Sequence, residues 1–311
     1  TASGHTAVGS SALLTMSTGT TGTAVGFEAL KVATGNDNTA VGYQAGVAVS
    51  TGTNNTIVGN AAGDALTTGV QNTFLGDNAG GAVTTSSSHT AIGSAALQAM
   101  TSGTRGTAVG GEALKVATGN DNTAVGFQAG VAVSTGTQNT IVGNKSGDAV
   151  TTGADNTFVG DSAGGAVTTA SGHTAVGSSA LLTMSSGTTG TAIGFEALKV
   201  ATGNDNTAIG YQAGVAVPTG TQNTLVGNVA GDAVTTGAGN TFVGDLSGSA
   251  TTTVNNNTAV GSSALLVNST GAGNTAIGAL ALDANTTASN NVAVGVSALS
   301  ANTTGTDNVA V

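Results

Sequence analysis

Short apolar and polar stretches alternate along this chain, and a triplet of the form Thr-apolar-Val/Ile/Leu is closed again and again by a glycine. The closing glycines stand at 9, 26, 42, 59, 76, 93, 110, 126, 143, 160, 177, 194, 210, 227, 244, 261, 278 and 295. Thr and β-branched residues fit a pleated, half-buried surface, so each triplet predicts one very short β-strand. The spacing between glycines is 16 or 17 residues. That is too short for a helix pair and suits a coil of short strands and turns. The chain therefore reads as all-β, a parallel β-solenoid of about 18 coils of 16–17 residues.

The spacings run 17, 16, 17, 17, 17 and then repeat, so a longer period of 84 residues relates Gly9, Gly93, Gly177 and Gly261. Five coils make one block. The blocks are 1–84, 85–168 and 169–252, with a divergent remainder 253–311, and Thr1–Met16 is nearly identical to Thr169–Met184. Composition does not shift at the block edges and no linker separates them. Residues 1–311 are thus expected to form a single continuous array, a stiff rod of roughly 85 Å at about 4.8 Å per coil. The opening at Thr1 without Met reads as a fragment or a processed product. The stop at Val311, one residue before the next expected glycine, fits truncation or end-to-end stacking.

Side chains alternate across a strand. The Val, Ile or Leu directly before each glycine (Val8, Val25, Val41) shares a face with the Thr two residues earlier, and this face is expected to line the inside of the coil. The residue between them then faces outward, yet it is apolar throughout: mostly Ala, with Ile57, Ile141, Leu225, Phe74, Phe158 and Phe242 as bulkier members. A strand face open to water would be polar there. The expected cover is another copy of the same chain in a side-by-side homotrimer, and the competing cover is a turn of the chain itself. A second column, four residues after the glycine, reads Leu, Leu, Gly, Gly, Gly in each full block, as in Leu13, Leu30, Gly46, Gly63 and Gly80. The bulky strand residues occur only where this position is Gly, so the two columns exchange size as side chains sharing one space do. That space is either the core of one chain or a seam between chains.

Asn precedes the strand in most coils (Asn38, Asn55, Asn72, Asn122, Asn139, Asn156). Stacked amides would form a hydrogen-bonded ladder, and isolated ones would simply form turns. Composition narrows the function. There are 51 Gly, one Pro, no Cys and no Trp; only 6% of residues are charged, and the net charge is -10. Five Lys and Arg cannot supply the cation cluster that nucleic acid requires, and no apolar run is long enough for membrane insertion in this segment.

The unit Asn291-Val292-Ala293-Val294-Gly295, and the Thr-Ala-Val-Gly units generally, resemble the Ser-Val-Ala-Ile-Gly head repeats of trimeric autotransporter adhesins. Asn38 to Ala45 likewise resembles the Asn-Thr-Ala-Val-Gly-Tyr-Gln-Ala arrays that precede endosialidase-type chaperone domains in phage tail fibres and bacterial surface proteins. The resemblance covers essentially the whole chain. It implies a left-handed β-roll, three chains side by side about a fibre axis, and a role in attachment. These coils are longer than the usual adhesin head repeat and carry Thr where the adhesins carry an apolar residue.

Candidate chemistry is sparse. His5, His89 and His173 take the Asn position once per block, about 24 Å apart, so no two can share a metal within a chain, and no metal or other cofactor is expected. Glu28 with Lys31, Glu112 with Lys115 and Glu196 with Lys199 read as surface ion pairs. Asp37, Asp64 and Asp77 lack the spacing of calcium-binding repeats and read as solvated turn carboxylates. Any Ser, His and Asp combination would recur every 84 residues, which is not how an enzyme places one site, so no catalysis is expected. Tyr43, Phe127 and Tyr211 follow the glycine of the third coil of each block, either as exposed ledges for a glycan or protein receptor or as seam packing. The expected role is the shaft or head of an extracellular trimeric adhesin or phage tail fibre, on a cell surface or virion, acting by multivalent attachment. A self-assembling extracellular filament and an ice-binding solenoid are the alternatives. The ice-binding reading needs a flat, exposed Thr-x-Thr array, whereas here Thr shares its strand face with Val.

Overall fold

The computed structural model describes residues 3–16, 18–184, 187 and 190–311. Thr1 and Ala2, the start of the Thr1–Met16 duplication, lie outside the described residues. The chain forms two compact units, Thr1–Asn156 and Thr157–Val311. In the first, the strands are β1 (Thr6–Val8), β2 (Thr23–Val25), β3 (Thr39–Val41), β4 (Thr56–Val58), β5 (Thr73–Leu75), β6 (Thr90–Ile92), β7 (Thr107–Val109), β8 (Thr123–Val125) and β9 (Thr140–Val142). In the second they are β10 (Thr157–Val159), β11 (Thr174–Val176), β12 (Thr191–Ile193), β13 (Thr207–Ile209), β14 (Thr224–Val226), β15 (Thr241–Val243), β16 (Thr258–Val260), β17 (Thr275–Ile277), β18 (Val292–Val294) and β19 (Val309–Ala310). Within each unit every strand pairs in parallel with the next in the same register, Thr on Thr as far as β17 and Val on Thr or Val beyond it, middle residue on middle residue, and Val, Ile or Leu on its equivalent in all but the last pair. Each unit is a parallel β-solenoid, and among the described residues there is no helix, hence none long and apolar enough to cross a membrane.

The glycine that ends each strand is required twice over. Its φ lies between +127° and +144°, a region costly for residues with a Cβ. A Cβ on Gly26 would also be driven into the carbonyl of Gly42 in the next coil. Consecutive coils therefore touch backbone to backbone at this corner. The turn beyond it also uses left-handed backbone at ordinary residues. Glu28 (φ 56°) and Leu30 (φ 47°) aim their N–H groups along the stack in opposite directions, to Ser10 O at 2.9 Å and Ala45 O at 3.0 Å. Left-handed backbone costs an L-residue roughly 1–2 kcal/mol. The bonds it makes to both neighbouring coils offset that cost.

The two faces of the strand are the reverse of the sequence expectation. The middle residue is the inward one: Ala24, Ala40, Ile57, Phe74, Ile141, Phe158, Leu225 and Phe242 are fully buried within their own chain. Thr and Val face outward, with Val8 57% and Leu75 45% exposed. The cover over the Phe and Ile column is thus the chain's own turn, not a second molecule. The physical reason is the narrowness of the coil. Its interior accepts Ala from the strand, Ala29 from the turn, Leu30 beyond it and Ala33 closing the loop, all buried. Bulk fits from one side only when the other side gives way. A Cβ on Gly63 would lie 2.8 Å from the Phe74 ring, one on Gly80 would lie 2.7 Å from it, and one on Gly46 would lie 2.8 Å from Ile57 Cδ1. The size exchange is therefore a property of the single chain's core.

The Asn column is a ladder. Asn38 Oδ1 accepts the Asn55 backbone N–H at 3.1 Å and the Asn55 amide at 3.0 Å, while its own Nδ2 donates to Gly52 O at 2.8 Å. Asn55 repeats the arrangement toward Asn72 and Gly69, and the second unit carries it from Asn206 through Asn308. These amides are buried, where an unmet polar group costs about 1–3 kcal/mol, so each coil depends on the amide of its neighbour.

Candidate functional site

Histidine continues the ladder with different atoms. His89 donates its backbone N–H to Asn72 Oδ1 at 3.0 Å, its Nε2 donates to Gly103 O at 3.0 Å, and its Nδ1 accepts the Gly106 N–H at 3.0 Å. The larger ring occupies the place that the next Asn would need, and a Cβ on Gly106 would lie 3.2 Å from His89 Nδ1. His and Gly together thus replace Asn and Asn. His5 with Gly22 and His173 with Gly190 repeat the pairing. Burial pushes the His89 and His173 imidazoles below the usual range, and only a neutral Nδ1 can accept the glycine N–H. No group of three or more His, Asp or Glu that could hold a metal ion occurs among the described residues.

The charged groups sit on the outside of the turns. Lys31 bonds Glu28 at 2.6 Å, Lys115 bonds Glu112 at 2.8 Å and Lys199 bonds Glu196 at 2.6 Å, as the sequence spacing suggested. A glutamine one coil along (Gln44, Gln128, Gln212) holds the other carboxylate oxygen at 2.7–2.9 Å. Lys31 and Gln44 hold the Glu28 carboxyl below its ordinary value, with Lys31 the larger influence. Asp37 accepts from the Thr21 hydroxyl, and Asp121 is paired with Arg105. Asp64, Asp148 and Asp232 behave differently, because partial burial pushes their carboxyls upward. Asp232 Oδ1 is buried without a hydrogen-bond partner among the described residues.

Two surface features extend over several coils. The first is the outward strand face, a column of Thr beside a column of Val, Ile and Leu, one pair per coil. The second is the column directly after the strand-ending glycine. Tyr43, Phe127 and Tyr211 stand there, each about half exposed at 51%, 52% and 51%. The structure adds two residues that sequence reasoning missed. Phe27 stacks on Tyr43 with ring centroids 5.3 Å apart and planes 11° apart, and Phe195 stacks on Tyr211 at 5.4 Å and 12°. The signal was available, since Phe27 and Phe195 hold the same column one coil earlier. Phe127 instead lies over Gly111, whose added Cβ would be 3.4 Å from the ring. The same column continues past Tyr43 into Asn60, which donates to Asp77 at 2.7 Å, and past Tyr211 into Asn228, which donates to Asp245 at 2.7 Å. No family model, curated protein or solved structure matches this chain.

Proposed function

We propose that this chain is a structural segment, shaft or head, of an extracellular homotrimeric fibre of the adhesin or phage tail-fibre kind, acting in attachment to a cell or host surface. The observation that carries the reading is the outward column of Val, Ile and Leu that each unit presents, one residue per coil. Val8, Val41, Leu75, Val125, Ile193, Ile209 and Ile277 are all exposed. An apolar stripe that recurs coil after coil within a unit marks an interaction surface. A stripe that repeats at coil spacing is matched best by another with the same spacing, and the nearest source is a second copy of the same chain. Closure around an axis then shields every stripe at once. The number three comes from the resemblance to adhesin head repeats. The seam in this reading is the Val column, not the Phe column.

Sedimentation of the purified chain tests it. A particle of three times the 29.0 kDa chain mass is expected, and Val125→Asp should dissociate it while leaving the coils folded. A stable monomer would overturn the trimer, and a length-distributed series would point to a filament. The outward Thr column supports one second reading, since a regular uncharged array of hydroxyl and methyl groups is what ice recognition needs. A monomer that halts ice growth would favour it.

A further inference from the structure

Four successive coils of the first unit place Phe27, Tyr43, Asn60 and Asp77 in one outward column, and four coils of the second place Phe195, Tyr211, Asn228 and Asp245 in the same way. At about 4.8 Å per coil, each strip is roughly 14 Å long. Half of it is a flat aromatic platform, and the other half is an amide and a carboxylate. In the first strip, the bond from Asn60 to Asp77 uses one N–H and one carboxylate oxygen. The Asn60 carbonyl, its second N–H and the other Asp77 oxygen are left uncommitted within the described chain. Both polar residues are exposed.

We infer that each strip is a carbohydrate-binding ledge, the stacked rings packing against the C–H face of a pyranose and the Asn–Asp pair exchanging hydrogen bonds with the hydroxyls of adjoining sugar units. The ledge rests on the attachment reading and names its ligand class. Two features favour a saccharide over a protein seam. The aromatic column is not apolar along its length, so a seam there would bury the Asp77 carboxylate, whereas the Val column could be covered without burying charge. A sugar also needs the two halves side by side, an apolar face for its C–H groups and donors and acceptors for its hydroxyls. Charge narrows the class further. With Asp77 in the strip and a net charge of -10, uronic and sialic acids are disfavoured and neutral oligosaccharides favoured. Phe127 over Gly111 is a one-ring version of the platform and should hold a sugar more weakly.

The chain has two Tyr and no Trp, so tyrosine emission reports on Tyr43 and Tyr211 alone. The experiment titrates the full chain with cellotriose, chitotriose and mannotriose, with trigalacturonate as the anionic control, reading tyrosine emission and saturation-transfer NMR. A saturable response to at least one neutral trisaccharide and none to trigalacturonate is expected. Tyr43→Ala/Tyr211→Ala should cut the NMR response to the weak remainder of the Phe127 site, Asn60→Ala/Asn228→Ala should weaken affinity several-fold, and Gly111→Phe should strengthen the Phe127 site to that of a two-ring platform. Absence of any neutral-sugar response up to millimolar concentration, or wild-type affinity that survives loss of both tyrosines, overturns the ledge. Sedimentation of the same variants separates this from the trimer. If the double tyrosine variant dissociates an oligomer that binds no sugar, the rings are seam residues and the ledge is refuted while the trimer stands. If a monomeric wild-type chain binds sugar, the trimer fails and the ledge stands.

Discussion

Replacing Phe74 with Ala and Gly80 with Leu, singly and together, tests whether the strand and turn columns share one slot inside the coil. Phe74 is fully buried, and its ring fills the space opened by Gly63 and Gly80. Removing it leaves a cavity worth about 3–5 kcal/mol. Gly80→Leu alone drives a Cβ to 2.7 Å from the ring. Overpacking of that kind costs about 1–3 kcal/mol, and a side chain at a backbone φ of +64° adds roughly 1–2 kcal/mol. The double variant recreates the Ala24 with Leu30 and Ala91 with Leu97 pairings of other coils, where Leu30 and Leu97 hold φ at 47° and 49°. Its remaining cost should then be about 2 kcal/mol, mostly the backbone term. Even with each single loss at its lower end, about 5 kcal/mol together, the two changes should be coupled by at least about 3 kcal/mol, the top of the range for contacting residues. Urea unfolding followed by far-UV circular dichroism gives the global value, and hydrogen exchange of the Thr73–Gly93 segment gives the local one. A double variant no more stable than the sum of the two single losses would refute the shared slot.

The strand faces can be tested at neighbouring residues. Ile141→Asp should unfold its coil by burying an unpaired carboxylate, whereas Val142→Asp should leave the coil folded and change only association; equal loss of hydrogen-exchange protection in both would contradict the face assignment. His89 and His173 have folded-state values depressed by burial. Their contribution to stability is therefore complete above the unfolded value of about 6.5 and is lost as pH falls below it toward the folded values. Urea midpoints should drop as pH falls below about 6.5, and a His89→Asn/His173→Asn variant should show a shallower drop. Asp232 is the opposite case, its carboxyl raised by burial, so its ionisation weakens the fold as pH rises through that raised value. Asp232→Asn should therefore raise the neutral-pH melting temperature, and a fall would show that the carboxylate has an ionic partner in solution.

The period, the strand positions and the closing glycines were legible because each has a local cause: a β-branched pair, a left-handed corner and backbone contact between coils. The Asn ladder was legible as one of two options, and burial decides it. The face of the strand was not read correctly, and the reason lies in Val8 and Ala24. Hydrophobicity argues that the larger apolar residue goes inside, but a coil this narrow has room only for the smaller one and sends Val outward. The corrective signal was the exchange between Phe74 and Gly80, because only side chains pointing at each other need to trade volume. The positive φ of Leu30 and its equivalents left no trace in the sequence, since Leu is not a residue that marks left-handed backbone. The stacked partner of Tyr43 was visible as Phe27 one coil earlier and went unread until the rings were placed.

The amide ladder has a direction. Asn38 offers both its oxygen and its nitrogen to the coil that follows it in sequence; at Asn55, Asn139 and Asn223 the oxygen and one N–H do the same, while the amide also donates back to the preceding Asn. On a ribosome the earlier coil emerges first, already carrying a two-pronged docking point for a segment not yet made. Growth from the N-terminal side therefore meets a template at each step, whereas growth from the other side would present bare carbonyls and amides awaiting a side chain. Accretion of identical turns by duplication uses the same asymmetry, because any coil with Asn in this place can seat the next one.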